Sequence, residues 1–109
     1  MNFIKVAQTS EIAPGTMKKV VGDGKEILVV NLGGSFYAIP HNCTHMAGNL
    51  SEGALQGGIV TCPRHGAKFD VKTGQAVEGA KIAFLKIKVK DTRSIPVKIE
   101  GNDILIGID

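Results

Sequence analysis

Short runs of alternating or continuous hydrophobic residues recur along the chain, and glycine-rich turns separate them. The run at residues 3–6 predicts a first strand. The runs at residues 16–21 and 26–31 flank Gly22-Asp23-Gly24-Lys25, and two β-type runs joined by such a turn predict a hairpin. The amino-terminal part of the chain is therefore expected to be β-structure.

The same pattern continues on both sides of the middle of the chain. A run at residues 36–40 follows the turn Gly33-Gly34-Ser35, and runs at 95–100 and 104–108 flank Gly101-Asn102-Asp103. Only residues 10–15 suggest a short helical turn, and no long stretch has a 3.6-residue period. The sequence predicts an all-β fold.

The stretch from about residue 41 to about residue 79 differs from its surroundings. It is rich in glycine and holds every cysteine and histidine of the chain, whereas the predicted strands precede and follow it. The simplest organisation of the single domain, residues 1–109, is a β base (about 1–40 and 80–109) with an inserted subdomain (about 41–79).

Length and composition exclude several classes of protein. A chain of 109 residues suffices for one domain with its own core. No amino-terminal signal peptide and no apolar segment approaching 18 residues are present, so a soluble, cytoplasmic protein without a membrane span is expected.

The formal charge is +3, and basic residues concentrate in the carboxy-terminal third. Nucleic-acid binding is disfavoured because no aromatic stacking platform or binding motif accompanies them. The alternation of Lys86, Lys88 and Lys90 with Ile87 and Val89 is simpler to explain as the solvent face of one strand.

Two cysteines and two histidines form a repeated pattern. Cys43-Thr44-His45, the first box, is followed after sixteen residues by Cys62-Pro63-Arg64-His65, the second box. A [2Fe–2S] centre in which two histidines replace two cysteines on one iron requires this set of ligands. A structural zinc site of two cysteines and two histidines is the alternative, although zinc modules usually pair like ligands at each end.

The residues behind both boxes make the pattern more specific. The second box continues as Gly66-Ala67-Lys68-Phe69-Asp70 and then Thr73-Gly74, and Leu50-Ser51-Glu52-Gly53 follows the first box. Here the chain resembles the Rieske iron–sulfur family, whose second box commonly has the pattern C-P-x-H-G-x-x-F-D-x-x-T-G. The resemblance implies a β-sandwich or barrel base with a small cluster-binding subdomain.

The resemblance also implies a cofactor, one [2Fe–2S] cluster per chain, and its ligands. These would be the cysteines and histidines of the boxes, namely Cys43, His45, Cys62 and His65. Both cysteines would then be consumed, which leaves none for a disulfide and suits a reducing cytoplasm. His41, the third histidine, is expected not to be a ligand.

Residues around the ligands have expected supporting roles. Gly48, Gly53 and Gly66 are expected to provide positive φ angles that let backbone amides approach the sulfides. Pro63 should stiffen the second loop. Leu50, together with Thr44 and Met46, is expected to pack around the cluster.

Departures from relatives indicate a subtype. Members from cytochrome complexes have a disulfide between the loops, but the matching positions here are Gly48 and Arg64. Their Ser and Tyr donors correspond to Ala67 and Phe69, so a low reduction potential is expected. Residues 77–94 contain no proline, unlike the proline-rich loop of many relatives, and include an apparent extra strand at 84–89.

The resemblance implies a one-electron carrier between a flavin-containing reductase and an oxygenase or other redox enzyme. It is not expected to be an enzyme by itself, because a mononuclear iron site needs further ligands and only His41 remains. A small electron-transfer subunit of a nitrite reductase-like complex is the alternative.

Overall fold

The computed structural model describes residues 2–42, 49–64, 66–82 and 85–108, with backbone alone for 80–82 and 85–87. Two 3-10 turns, Thr9–Glu11 and Leu50–Glu52, are the only helical elements in these ranges. The all-β prediction is confirmed by the twelve strands: β1 (Asn2–Gln8), β2 (Met17–Gly22), β3 (Lys25–Leu32), β4 (Ser35–Pro40), β5 (Ala54–Gln56), β6 (Ile59–Thr61), β7 (Lys68–Asp70), β8 (Ala76–Glu78), β9 (Ala80–Ile82), β10 (Leu85–Ile87), β11 (Val97–Glu100) and β12 (Asp103–Ile108).

The strands form antiparallel sheets that follow the chain closely. A terminal sheet has the order β1-β12-β11, a middle sheet the order β2-β3-β4, and a third sheet the order β5-β6-β7-β8. Strands β9 and β10 form a separate hairpin. None of the helices in the described ranges has the length and apolar character needed to cross a membrane.

The backbone angles of the hairpin turns explain why local sequence signals predict these hairpins. Asp23 and Gly24 connect β2 to β3 with φ angles of 53° and 72°. Positive φ at both central residues is the requirement of a type I′ turn, whose twist matches that of the strands it joins. Gly101 starts the two-residue turn between β11 and β12 with φ of 60°.

Strand β3 is buried on both faces. Ile27 and Val29 pack with the terminal sheet, whereas Leu28 and Val30 pack against residues of the third sheet, and all four are at most 4% exposed. Successive side chains of a strand point to opposite faces, so this continuous apolar run serves two cores. The middle sheet is therefore the layer between them.

We name the two cores after their contents. The terminal-sheet core lies between the middle and terminal sheets and comprises Ala7, Ile12, Val20, Ile27, Val29, Ala38, Ile95, Ile104 and Ile106. The Cys62 core lies on the other side of β3 and comprises Leu28, Val30, Ile39, Leu50, Val60, Cys62, Ala67, Phe69 and Val71.

Sequence patterns missed part of the fold. The strands β5–β8 and β9 were not predicted, because three-residue strands are too short to show a period of two. The extra strand expected at 84–89 corresponds to β10 (Leu85–Ile87). Beyond it, Lys88 and Lys90 are exposed and Val89 packs against the Cys62 core, as the alternation predicted.

Candidate metal centre

The structure describes one of the four predicted ligands, Cys62, whereas Cys43, His45 and His65 lie outside the described residues. Cys62 directly follows β6 and has a free thiol. It is only 2% exposed and forms part of the Cys62 core. A thiolate donor at this position would be shielded from water on the protein side.

The loop of the second box is closed by backbone hydrogen bonds. The Cys62 N–H donates to the Ala67 carbonyl at 2.7 Å, and the Gly66 N–H donates to the Cys62 carbonyl at 3.1 Å. Gly66 has φ of 76°, a left-handed conformation that glycine adopts without a steric penalty. The positive φ predicted for Gly66 is correct, and it returns the chain to β7.

The ends of the first-box segment are also held together. Asn42 and Asn49 form an isolated antiparallel bridge, and the Leu50 N–H donates to the His41 carbonyl at 3.2 Å. Leu50 then begins a 3-10 turn with its side chain fully buried in the Cys62 core. The predicted neighbours Thr44, Met46 and Gly48 are outside the described residues.

Strand register brings the flanks of the two boxes to one end of the third sheet. Ala54 of β5 pairs with Thr61 of β6. The chain enters β5 from the first box and leaves β6 towards the second box, and antiparallel partners place those two ends side by side. Each box therefore adjoins the same end of the sheet through its described flank.

Gly53 makes the closest contact between these flanks. Its φ is −88°, so the predicted positive φ at this position is wrong. What it provides is space: a Cβ there would collide with the Thr61 carbonyl oxygen and lie 3.2 Å from Cδ of Pro63. The absence of a side chain lets the tail of the first box contact the start of the second.

The residues behind the second box form the turn between β7 and β8. The Asp70 carboxylate accepts the Lys72 N–H at 2.8 Å, and the Asp70 carbonyl accepts the Gly74 N–H at 2.7 Å. Gly74 has φ of 80°, and a Cβ on it would come within 2.7 Å of the Arg93 backbone. The Asp and Gly of this motif are structural: they shape the turn and admit a later segment.

That later segment is bound to the third sheet by Asp91. Its carboxylate accepts the Ala76 N–H at 2.7 Å at the start of β8, and Val89 packs against the Cys62 core. Local sequence patterns predict neither contact, because the partners lie far from the segment along the chain. Residues 88–93 thus cover the tail of the second box without a proline-rich loop.

Two buried side chains that pack with Cys62 have no polar donor. Ala67 is 1% exposed and Phe69 is fully buried, and both belong to the Cys62 core. Hydrogen bonds to the sulfurs are one determinant of an iron–sulfur potential. Neither Ala67 nor Phe69 can supply such a bond through its side chain.

These features fit the predicted [2Fe–2S] cofactor. A free, buried thiol lies where the flanks of two mixed Cys/His boxes converge, and two thiolates with two imidazoles form the ligand set that such a cluster needs. When bound, such a cluster would supply one-electron redox chemistry, and Cys62 would hold it from within a buried core.

Comparison with known protein families points to the same cofactor. The Rieske [2Fe–2S] domain matches residues 2–104. The ferredoxin component of biphenyl 2,3-dioxygenase from Rhodococcus jostii (strain RHA1) is 37% identical over 109 residues, which is 100% of this chain and 95% of that protein.

Solved structures agree in fold. The ferredoxin of carbazole 1,9a-dioxygenase from Nocardioides aromaticivorans IC177 has a TM-score of 0.84 at 30% identity, with 100% of both chains covered. The complex of reduced oxygenase and oxidized ferredoxin in carbazole 1,9a-dioxygenase contains a chain with a TM-score of 0.77 at 30% identity, covering 95% of this chain and 91% of that one.

The similarities confirm the [2Fe–2S] cofactor and the electron-carrier class, and favour neither a zinc module nor a self-contained enzyme.

Replacing Gly53 with alanine tests the contact between the flanks of the boxes. The added Cβ collides with the Thr61 carbonyl, and we expect a stability loss of about 1–3 kcal/mol, as for other overpacked sites, together with a lower iron content per chain. Chemical denaturation and iron analysis measure the two effects.

Gly57→Ala is the matched control. Gly57 has φ of 58° with nothing within 4 Å of its Cβ position, so the change costs about 1–2 kcal/mol of backbone strain without disturbing the boxes. We expect it to retain its iron. A Gly53→Ala protein with wild-type iron content would contradict the role assigned to Gly53.

Proposed function

The chain belongs to the Rieske [2Fe–2S] family, and we propose that it is a one-electron carrier with the ligands Cys43, His45, Cys62 and His65. The two cysteines would bind one iron and the two histidines the other. Neutral imidazoles leave their iron with less ligand charge than thiolates would, which favours acceptance of an electron.

The observation that carries this proposal is the convergence of the two boxes. The Ala54–Thr61 register, and the space that Gly53 leaves beside the Thr61 carbonyl, bring the described flanks of both boxes together, next to the buried Cys62 thiol. A two-iron cluster held between two loops needs ligands from both of them at one place.

We propose that residues 41–79 form the cluster-binding subdomain on a base of residues 1–40 and 80–109. The sheet β5–β8 lies wholly within the inserted range and pairs only with itself among the described strands. Its inner side chains share the Cys62 core with β3 and β4 of the base. The subdomain would therefore be distinct in sheet pairing but continuous in packing.

The electron donor is proposed to be a flavin-containing reductase, and the acceptor an oxygenase, in a cytoplasmic multicomponent system. Support comes from the relative named as the ferredoxin component of a biphenyl dioxygenase and from the solved oxygenase–ferredoxin complex. A carrier of this kind needs no catalytic residues of its own, only a cluster that partners can reach.

The reduction potential is proposed to lie near the low end of the Rieske range, at about −150 mV. Ala67 and Phe69 have no side-chain donor to stabilise the extra negative charge of the reduced state. Both are buried at the Cys62 side of the site, so solvent does not replace the missing donors.

The EPR spectrum of the anaerobically reduced protein tests the ligand set. We expect a rhombic signal whose average g value lies below that of [2Fe–2S] proteins with four cysteine ligands. His65→Cys, which adds a third thiolate, should lose the cluster or lower its potential. A colourless protein containing one zinc would contradict the proposal.

Reconstitution with redox partners tests the function. We expect the reduced protein to transfer its electron to the oxygenase component of an aromatic-ring dioxygenase system. Stopped-flow experiments would detect this transfer as the loss of the visible spectrum of the reduced protein. Cys62→Ser, which removes a ligand, is the inactive control. Stoichiometric co-purification with a large redox subunit would instead support a fixed subunit of a nitrite reductase-like complex.

Ala67→Ser tests the origin of the low potential. The introduced hydroxyl can donate to the cluster region and stabilise the reduced state, so the midpoint potential measured by redox titration should rise. Ala54→Ser, at an exposed position of β5, is the control and should leave it unchanged. An intact cluster without a rise in Ala67→Ser would contradict the explanation.

A further inference from the structure

Among the residues whose burial the structure describes, His41 is the most deeply buried titratable side chain outside the proposed ligand set. It is 1% exposed, at the end of β4, and it precedes the first box by two residues. Its backbone N–H donates to the Glu26 carbonyl at 3.2 Å, which continues the pairing between β3 and β4. The residue is thus fixed to the middle sheet.

The His41 ring, before the first box, contacts a side chain that follows it in the sequence. Its Nε2 atom lies 2.7 Å from the hydroxyl oxygen of Ser51, which is ten positions later in the chain and inside the 3-10 turn. A burial this complete makes a polar contact costly to lose, because an unpaired imidazole nitrogen would have no water to replace its partner.

The other ring nitrogen indicates the direction of this hydrogen bond. Nδ1 lies 3.8 Å from a carboxylate oxygen of Glu26, and no hydrogen-bond partner reaches it in the described part of the chain. A proton on Nδ1 faces that carboxylate favourably and leaves Nε2 as the acceptor. In that tautomer the Ser51 hydroxyl donates to Nε2.

Two backbone contacts also join the ends of the segment. The Asn42–Asn49 bridge and the hydrogen bond from Leu50 to the His41 carbonyl are the backbone links described there. The side-chain contact between His41 and Ser51 lies just outside both and connects the middle sheet to the 3-10 turn. It closes the whole segment that contains Cys43 and His45.

We propose that His41 is a positioning residue for the first box and that its contact with Ser51, the His41–Ser51 clamp, sets how long the cluster is retained. The inference rests on the proposed ligand set. Residues behind metal ligands reduce the ordering cost of binding and slow the opening of the site. His41 would perform this task without touching the metal.

The variants follow from the atoms involved. His41→Leu fills the space without a polar atom, and Ser51→Ala removes the hydroxyl. His41→Gln keeps an amide group near the position of Nε2, and Ser51→Thr keeps the hydroxyl. Ile104→Val in the terminal-sheet core is the control for general destabilisation, since it lies on the other side of the middle sheet.

The measurement is the half-time of cluster loss, followed by visible absorbance in the presence of excess iron chelator. We expect His41→Leu and Ser51→Ala each to shorten it roughly 10-fold, as changes behind metal ligands do. The double variant should lose the cluster no faster than either single variant, because both changes remove one contact. His41→Gln and Ser51→Thr should have half-times within about twofold of the wild type, because each keeps a polar group at the contact. Ile104→Val should also remain within about twofold, because it leaves the contact untouched.

The EPR spectrum of the reduced variants provides a second reading. A less well-positioned first box should broaden the EPR lines of His41→Leu and Ser51→Ala. Ile104→Val should keep the wild-type spectrum. If His41→Leu does not fold, the comparison of Ser51→Ala with Ser51→Thr decides the question.

Three results would overturn the proposal: unchanged half-times in both disrupting variants, equal shortening in Ile104→Val, or additive effects in the double variant. Failure of the ligand set is distinguishable, because the wild-type protein would then lack the mixed-ligand EPR signal. A wild-type signal with unaffected variants would remove the clamp alone.

Discussion

Strand β3 is buried on both faces. Its alternate side chains supply Ile27 and Val29 to the terminal-sheet core and Leu28 and Val30 to the Cys62 core. Both cores thereby share this strand. The position of Cys62 is in this way linked to the packing of the terminal strands.

Two kinds of contact shape the loops of the site. Glycines without side chains permit close approaches, with Gly53 against Thr61 and Gly74 against Arg93. Polar side chains then fix particular backbone groups, as Asp91 does for the amide of Ala76. Together they attach the loops around the second box to neighbouring segments on more than one side.

Short sequence patterns predict the structure correctly where neighbouring residues determine it. The Asp23-Gly24 turn was predictable because the φ angles of a type I′ turn restrict which residues can form it. The ligand boxes were recognisable because metal chemistry restricts residue type and spacing. The positive φ expected at Gly66 is also observed.

Tertiary contacts were beyond the reach of such signals. Gly53 was assigned a positive φ, whereas its role depends on a carbonyl eight residues later. The strands of the third sheet are held by pairing and burial, since three residues cannot show periodicity. His41 stands outside the ligand boxes in the sequence, and no local signal predicts its contact with Ser51, ten positions later.

The Ala54–Thr61 register has a consequence for how the holoprotein is assembled. The pairing of Ala54 with Thr61, and the space that Gly53 leaves beside the Thr61 carbonyl, bring the two boxes to one end of the sheet through contacts between protein groups. Strand pairing that gathers the two flanks supplies part of the ordering that the ligands need, and it thereby lowers the entropy cost that remains for cluster binding.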